Sequence, residues 1–339
     1  MLQTRIALDV MGGDRAPDAV LRGALVACSP LGKLRMAPER ILLVGDEKVI
    51  HERLTELGGD PGFGIRHASQ VIGMGDSPAH ALRAKPDSSI ASMVNALHKG
   101  EAGAAVGMGN TGAVVAAATL GLGTLEGVKR PGIAVTLDLT GHPLTIIDMG
   151  ANVAPKPEHL YQNGMMGSVY MRNCLGKAVP RVGLLNIGEE ESKGTDLHKE
   201  AFKLLKASPL AFVGNLEGND LFQDKADVVV VDGFTGNVVL KLMEGFAGFM
   251  LAATMKELAR QGIRGAAEAL SPVRRSVDYA EYGGALLLGV SGVVIIGHGR
   301  SDENAVANAI GLAARALDSN VNEHIVQGLA KATQTRATT

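Results

Sequence analysis

The sequence predicts a three-layer α/β/α fold with a mixed, mainly parallel sheet. Short apolar runs of strand length alternate with longer helical patterns along most of the chain. Two such runs, residues 133–137 and 144–148, flank Thr-Gly-His-Pro and predict an antiparallel hairpin, which makes the sheet mixed. Several other runs stop in glycine-rich polar loops, where open α/β proteins bind their ligands.

The length and composition allow one large globular domain. The chain has 339 residues, and its 46% hydrophobic residues are ample for a sizeable core. We expect residues 1–330 to form a single catalytic domain. Residues 331–339 are expected to fray.

Charge and cysteine content exclude several classes of protein. Lys and Arg number 33 against 35 Asp and Glu, so no broad basic surface for nucleic acid is expected. Cys28 and Cys174 lie in apolar contexts, which is typical of buried thiols in a reducing compartment. The start has no signal-peptide layout, and the apolar run 283–297 is shorter than the roughly 18 residues that span a bilayer. We therefore expect a soluble, cytoplasmic protein.

The first part of the chain shows three strand–helix units. Strands are predicted over residues 5–10, 41–44 and 63–67. Pro17 marks the start of the first helix, and Asp46 caps the second. A long irregular piece, residues 73–89, holds Lys85 and Ser88-Ser89 before a helix over 90–98. Loops of that length tend to be functional or mobile.

A glycine-rich loop follows the strand predicted over residues 103–106. It contains G-x-G-x-x-G at Gly107, Gly109 and Gly112, between a strand and a helix, as in dinucleotide-binding proteins. Its late position, and the lack of an acidic residue closing a second strand about 20 positions on, argue against a dinucleotide. We interpret residues 109–112 as a backbone-amide cradle for phosphate or an oxyanion, to which Asn110 and Thr111 add polar side chains.

The loop around Lys193 is the most suggestive part of the sequence. An apolar run over residues 181–186 stops at Gly188, and three glutamates, Ser192 and Lys193 follow. Thr195 and Asp196 then resemble the cap of a helix that continues to residue 205. Adjacent glutamates are more often a solvated turn than a site. Lys193 is the stronger candidate because it lies beside glycine and follows a buried strand.

Four more predicted strands end in loops rich in glycine, amides and carboxylates. These loops are residues 148–152, 214–218, 232–237 and 297–299. So many loops able to supply N–H groups, amides or carboxylates suggest one cleft at the strand ends.

The segment 238–258 is apolar nearly all the way round a helix. A helix without a polar face is buried on all sides, so we expect a second subunit to cover it in a homodimer. Residues 260–276 are basic and loosely amphipathic, which is more often a solvated face than a membrane contact. The whole segment 238–282 is the expected dimerisation region, with membrane contact as an additional role.

These loops, in this order, resemble those of the fatty acyl-ACP phosphate acyltransferases, the PlsX family. The shared segments are residues 9–14, 109–112, 148–152, 183–194, 214–218, 232–237 and 297–299. The resemblance extends from about residue 4 to 330. Gly107-Met108 stands where Ser-Ala is usual, and Ala84 stands where a second basic residue often precedes Lys85.

The resemblance implies an enzyme that moves a long acyl group from acyl carrier protein to inorganic phosphate. The product, acyl phosphate, would be the first intermediate towards phosphatidic acid in bacterial phospholipid synthesis, for a downstream acyl-phosphate:glycerol-3-phosphate acyltransferase. It also implies a dimer, peripheral membrane association, and a fold similar to isocitrate-type dehydrogenases and phosphotransacetylases. No cofactor and no metal are expected, because the histidines show no metal-ligand spacing.

Direct attack of phosphate on a thioester needs no protein nucleophile if the phosphate is held in line with the carbonyl. We assign the positive charge facing phosphate to Lys193 and Lys85, and backbone donors to Gly12, Gly13 and residues 109–112. The remaining candidates for substrate contact are Asp9, Asp14, Ser88, Ser89, Asn152 and Glu191.

The thioester also needs donors for the oxyanion that forms on its carbonyl. Asn110, Asn215 and Asn237 are our candidates for this role. Asp232 or His298 is the candidate that orients a lysine or protonates the leaving thiolate.

Three alternatives stay open at this point. A short-chain phosphate acyltransferase that uses coenzyme A would have similar loops. A metal- and NAD-dependent decarboxylating dehydrogenase would use residues 189–191 and Asp232 as Mg²⁺ ligands. A non-catalytic membrane scaffold would be built on the apolar helix.

Overall fold

The computed structural model describes residues 4–337, and the chain divides into two compact units. The first unit runs to Pro131 and resumes over Tyr282–Lys331, whereas the second holds Gly132–Glu281 and the end of the chain from Ala332. Packing therefore separates two units within the single domain that we expected over residues 1–330. That both serve one catalytic function stays a prediction.

Eleven strands are present among the described residues. They are β1 Ile6–Asp9, β2 Ile41–Gly45, β3 Gly64–His67, β4 Ala104–Gly107, β5 Gly132–Asp138, β6 Pro143–Ile147, β7 Arg181–Leu185, β8 Ala211–Leu216, β9 Val228–Val230, β10 Ala285–Leu288 and β11 Val293–Ile296.

Each unit contains a mixed, mainly parallel sheet. The strand order is β3-β2-β1-β4-β11-β10 in the first unit and β5-β6-β9-β7-β8 in the second. Only the β10–β11 and β5–β6 neighbours are antiparallel among the pairings that the structure describes within the units. The β5–β6 pair is the hairpin that the sequence predicts. Strands such as β1 and β9 are buried along their whole length, as expected of parallel strands covered on both faces.

Helices cover the sheets. They are α1 Asp18–Cys28, α2 Glu47–Glu56, α3 Pro78–Ala84, α4 Ser89–His98, α5 Thr111–Leu122, α6 Pro157–Leu175, α7 Asp196–Lys206, α8 Gly233–Arg260, α9 Ala266–Ser276, α10 Glu303–Asp318 and α11 Val321–Ala337. In the first unit α4 and α10 pack on the central strands, and α5 and α1 pack on those helices. In the second unit α6 packs on β6, β7 and β9.

Three sequence-based boundaries differ from the structure. The stretch predicted to be irregular before Ser88 contains α3, whose first residue is a proline, a favoured helix start. The strand predicted to stop at Val213 continues to Leu216, so Asn215 lies on β8 rather than in the following loop. Residues 331–337, expected to fray, belong to α11.

The apolar helix is not buried within the single chain, and its covering by a second subunit, which the sequence predicts, stays a prediction. Only the first part of α8 is covered, and Phe246 and Phe249 are 61% and 65% exposed. With 28 residues and a mean hydropathy of 1.5 in its most apolar window, α8 is long and apolar enough to cross a membrane. The sequence pattern identified an apolar surface, but among the described residues nothing in this chain covers it.

A buried ion pair fixes the start of β7. The Asp227 carboxylate, 2% exposed, accepts hydrogen bonds from the backbone N–H and the guanidinium of Arg181 and lies 3.0 Å from Lys177 Nζ. Burial raises the pKa of Asp227, but the hydrogen bonds from Arg181 and Lys177 outweigh it, and the net pKa lies below 3.8. The charged form is therefore stabilised by folding.

We predict that Asp227→Asn lowers the free energy of unfolding at pH 7 by about 1–3 kcal/mol, because it leaves Arg181 without its carboxylate. The folded-state pKa is depressed, so the stabilisation is present above the unfolded value and is lost as the pH falls through the folded value. Urea unfolding at pH 7 and pH 3 should show a difference from wild type that shrinks in acid.

Asp224→Asn is the matched control, since Asp224 binds the same guanidinium at an exposed position. It should change the free energy of unfolding by no more than about 1 kcal/mol. An equal effect of both variants, or a pH-independent effect of Asp227→Asn, would contradict the buried-pair explanation.

Candidate functional site

The loops after β1, β4 and β11 meet in the first unit. The backbone N–H of Asp14 donates to Gly299 O at 2.7 Å, and Gly297 N–H donates to Gly107 O at 2.9 Å. Gly12 lies against Gly109 so closely that a β-carbon on Gly12 would be 2.9 Å from the Gly109 nitrogen. The predicted phosphate loops at 12–14 and 109–112 are thus neighbours.

Asp9, at the end of β1, lies beneath these glycines. Its Oδ1 accepts a hydrogen bond from the Met11 N–H, whereas its buried Oδ2 has no partner among the described residues. Burial raises the pKa of Asp9 from 3.8 to about 6, and the Ser89 hydroxyl and the N–H groups of Met11 and Gly12 offset part of that effect. Asp9 is therefore a carboxyl group that changes charge near neutral pH.

The structure places Asn110 and Lys85 inside the scaffold of this region. Asn110 Oδ1 caps α5 by accepting from Ala113 N–H, and Nδ2 donates to the carbonyls of residues 73, 74 and 76. The Lys85 ammonium donates to Asp76 at 2.6 Å and to Val71 O at 2.8 Å. Both side chains tie the 71–76 segment to the loops. The Asn110 amide hydrogens are used there, whereas the contacts described for the Lys85 ammonium engage two of its three N–H donors.

The neighbouring hydroxyl groups differ in exposure. Ser88 is buried and caps α4 by accepting from Ala91 N–H, and Ser89 is buried beside Asp9. Thr111 is exposed at the first turn of α5. Of these three predicted contacts, only Thr111 faces solvent.

His298 and Met108 complete the first unit's loops. His298 Nδ1 accepts from the Arg300 N–H, which folds residues 297–301 into a turn. A β-carbon at Gly297 would lie 2.0 Å from the Met108 sulfur. Met108, which departs from the family pattern, therefore packs against Gly297 and is buried.

The loop after β6 in the second unit is organised by Asp148. Its Oδ1 accepts from the N–H groups of Ile133, Gly150 and Ala151, and its Oδ2 accepts from the N–H and side-chain amide of Asn152. Burial raises the pKa of Asp148, and these hydrogen bonds oppose the rise. The predicted contact Asn152 is thus held by a carboxylate that the site prediction left out.

The start of α8 rests on this loop. Gly233 N–H donates to Asn152 O at 2.9 Å, and a β-carbon at Gly236 would lie 2.0 Å from Asp148 O. Asp232 caps the helix by accepting from the Thr235 N–H at 2.9 Å. Asn237 is exposed on the first turns, and its side chain would lie about 4 Å from a β-carbon built on Gly150. The motifs 148–152 and 232–237 therefore form one surface at a helix N-terminus, where N–H groups favour anions.

Lys193 lies in a closed loop after β7. The loop is held by Lys193 N–H to Glu190 O and by Asn186 Nδ2 to Lys193 O. The ammonium is 45% exposed and 3.9 Å from its nearest carboxylate oxygen, that of Glu190. Glu191 instead pairs with Lys206 on α7. Lys193 therefore presents a weakly engaged positive charge.

His198 is a residue that sequence reasoning missed. It lies on α7 beside Gly194, and its Nδ1 is 2.9 Å from Thr195 Oγ1. Burial lowers the pKa of His198, and the negative charge of Asp232 opposes that shift. The signal available in the sequence was the spacing from the Thr195 cap, which places His198 on the same helical face one turn later.

A metal-dependent dehydrogenase and a cysteine nucleophile find little support in the described side chains. No group of His, Cys, Asp and Glu suited to a metal ion occurs among residues 4–337 as described, and Glu189 pairs with Lys225 rather than approaching Asp232. Burial raises the pKa of the Cys28 thiol to about 11, which disfavours a thiolate nucleophile there.

Comparisons with known proteins relate the whole chain to one family. Residues 4–324 match the family described as "Fatty acid synthesis protein". A phosphate acyltransferase from Nitratidesulfovibrio vulgaris (strain DP4) is 42% identical over 337 residues, which is 97% of this chain and 96% of the relative. A phosphate acyltransferase from Heliobacterium modesticaldum is 45% identical over 332 residues, with 95% and 97% covered.

Solved structures share the fold at low sequence identity. A phosphotransacetylase from Streptococcus pyogenes matches with a TM-score of 0.62 at 16% identity, over 93% of this chain and 94% of the other. A 4-hydroxythreonine-4-phosphate dehydrogenase from Klebsiella pneumoniae matches with a TM-score of 0.53 at 12% identity, over 91% and 98%. The predicted three-layer α/β/α class, with its similarity to phosphotransacetylases, is confirmed.

We predict that Gly236→Ala lowers the free energy of unfolding by about 2–3 kcal/mol, because the new methyl group would collide with a backbone carbonyl and not with a flexible side chain. Chemical denaturation measures the change. Gly218→Ala is the control, since nothing lies within 4 Å of a β-carbon there and its backbone is not in the left-handed region. If Gly236→Ala left the free energy of unfolding unchanged, this would contradict the close contact between α8 and the Asp148 loop.

Proposed function

The chain belongs to the family of fatty acid synthesis proteins and is an enzyme of the phosphate acyltransferase class, and from this premise we propose its substrates and the roles of its residues. The acyl donor is long-chain acyl carrier protein, and the acceptor is inorganic phosphate. A phosphate oxygen attacks the thioester carbonyl, the carbon–sulfur bond breaks, and acyl phosphate and the free carrier thiol leave. This reaction supplies activated acyl groups for phospholipid synthesis.

The observation that carries the proposal is the environment of Lys193. Its ammonium stands at the end of a buried strand with only a distant carboxylate, so it can neutralise an incoming phosphate. The N-terminus of α8 lies in the same unit and adds the positive end of a helix dipole, which also favours an anion. An anion bound here needs no metal to offset its charge.

In the first unit, we propose that the backbone amides of Gly12, Gly13 and residues 109–112 bind phosphate, with Thr111 adding a hydroxyl group. Asn110 acts as a positioning residue for these loops, because its amide already donates to residues 73–76. Lys85 holds the 71–76 segment with two of its three donors and adds positive charge facing the phosphate. Asp9, Asp14, Ser88 and Ser89 form the layer behind the loops.

The leaving thiolate needs a proton, and the oxyanion needs donors. We propose that Asn237 serves the oxyanion, with Asn152 and Glu191 bordering the substrate. Asn215, whose Nδ2 donates to Glu190 O, positions the loop after β7. Asp232, with His198 beside it, handles the proton of the leaving thiol, and His298 is the second candidate for this step. Burial lowers the pKa of His198, which favours the neutral imidazole, and this form can accept the proton that the attacking hydrogen phosphate loses and pass it to the leaving thiolate.

The exposed surface of α8 supports the proposal of a homodimer. Val238, Leu242, Phe246 and Phe249 are all more than half exposed, and burying them against a second copy would remove a large apolar area from water. A cytoplasmic enzyme of this kind would also contact the membrane peripherally, where the downstream acyl-phosphate:glycerol-3-phosphate acyltransferase receives its product.

We predict phosphate-dependent release of carrier thiol from long-chain acyl carrier protein, with acyl phosphate as the second product. Lys193→Ala should lower kcat/KM by about 100-fold, because a charge facing the phosphate is lost. The assay follows free thiol and acyl phosphate with and without inorganic phosphate.

Lys203→Ala is the matched control for this experiment. Lys203 is an exposed lysine on α7 that pairs only with Glu200 among the contacts described for it, and its variant should retain activity within about twofold. Thiol release at equal rates with and without phosphate would refute the transferase. Faster turnover of acetyl-coenzyme A than of long-chain acyl carrier protein would favour a short-chain enzyme.

We predict that Phe246→Asp, which places a charge in the middle of the exposed α8 surface, converts a dimer into a monomer. Sedimentation velocity measures the change. Leu31→Asp alters an exposed leucine in the loop after α1 and should leave the dimer intact. A monomeric wild-type protein that sediments with phospholipid vesicles would instead assign this surface to lipid.

A further inference from the structure

A cavity of about 510 Å³ lies within the second unit, beyond the ends of β7 and β8. Its volume falls in the range of small-molecule sites. It is lined by Glu189, Glu191, Phe202, Val213, Gly214, Asn215, Leu216 and Lys225. Its border is formed by the loop that carries Lys193.

One wall of the cavity is an irregular edge strand. β8 is the last strand of the order in its unit, so its outer edge pairs with no other described strand. The register between β7 and β8 shifts between Val182 and Gly183, which leaves Val213 bulged, and Gly214 has a φ of 99°. No atom lies within 4 Å of a β-carbon built on Gly214. Edge bulges of this kind accompany sites where an extended ligand approaches the backbone.

A buried acceptor at this wall lacks a partner. Asn215 is 5% exposed, its Nδ2 donates to Glu190 O at 2.9 Å, and its Oδ1 accepts no hydrogen bond within the described chain. A buried carbonyl oxygen without a donor is costly, and native structures usually satisfy it with water or a ligand. A ligand with an N–H group would donate the missing hydrogen bond to Asn215 Oδ1.

The rest of the lining restricts the ligand further. Phe202, Val213 and Leu216 give an apolar side, which suits methylene and methyl groups. The charged groups of the lining are already paired, Glu191 with Lys206 and Lys225 with Asp220 at 2.7 Å and Glu189 at 2.9 Å. A free phosphate is therefore offered no unpaired cation by the described lining. A bare acyl chain would leave Asn215 Oδ1 unsatisfied. The lining therefore selects an uncharged, extended molecule with amide groups and alkyl segments.

We infer that this cavity binds the pantetheine arm that carries the acyl thioester on acyl carrier protein. The inference rests on the proposed function. Pantetheine has two amide groups separated by two methylenes, and a dimethyl carbon lies beyond the amide farther from the thiol. It therefore offers an N–H to Asn215 Oδ1, alkyl groups to Phe202 and Val213, and an extended backbone to the edge of β8. Bound here, the arm runs along the loop that holds Lys193.

The test uses pantetheine itself as the probe, with binding to the full-length protein followed by ligand-observed NMR and calorimetry. Wild type should bind pantetheine at millimolar concentrations. Val213→Trp, which fills the cavity from an exposed position, should weaken binding about tenfold and raise KM for acyl carrier protein by a similar factor, with KM for phosphate unchanged. Asn215→Leu, which removes the acceptor, should weaken pantetheine binding to a similar extent.

Val179→Trp is the matched control, because Val179 is an exposed valine in the same unit outside the lining. It should bind pantetheine as wild type does. Two results would overturn the inference: no binding of pantetheine to wild type at about 10 mM, or wild-type binding by both Val213→Trp and Asn215→Leu with native circular dichroism. If the wild-type protein binds pantetheine but shows no phosphate-dependent thiol release, the proposed transferase function is refuted. The inference that the cavity binds pantetheine then still holds.

Discussion

The second unit's loops depend on the Asp148 carboxylate, which accepts five hydrogen bonds from the described residues. Those bonds fix residues 149–152, and the fixed loop then carries the first turn of α8 through Asn152 O and the close approach of Gly236. Because the helix start is set in this way, its N–H groups and the Asp232 cap have a defined position. The polarity of this surface therefore depends on the buried Asp148 carboxylate.

The first unit uses a strand-end carboxylate differently. Asp9 receives a hydrogen bond on only one oxygen, and burial raises its pKa to about 6, whereas Asp148 is satisfied on both oxygens. In each unit, glycines let the loop backbone pass closer than any side chain would allow. The strand ends of each unit therefore present loops of similar polarity. Binding of phosphate and of a thioester carbonyl requires loops of this kind.

The sequence predicts the strands and loops well because apolar runs and glycines are local signals, and the 133–148 hairpin is confirmed. The sequence analysis did not predict interactions between residues that are distant in the sequence. Asn110 binds carbonyls more than 30 residues away, and His198 reaches Asp232 only through the fold. The burial of α8 by a second subunit stays a prediction, because a wholly apolar helix indicates what should be buried and the single chain does not include the surface that would cover it.

Direct transfer from thioester to phosphate requires both substrates to be bound together, with no acyl group on the protein. Exchange between free and acylated carrier protein tests this most directly. Labelled carrier thiol is incubated with unlabelled acyl carrier protein and enzyme in the absence of phosphate. We predict no exchange until phosphate is added, because Lys193 and the loop amides bind a nucleophile and do not supply one. Rapid exchange without phosphate would demonstrate an acyl-enzyme and contradict direct transfer.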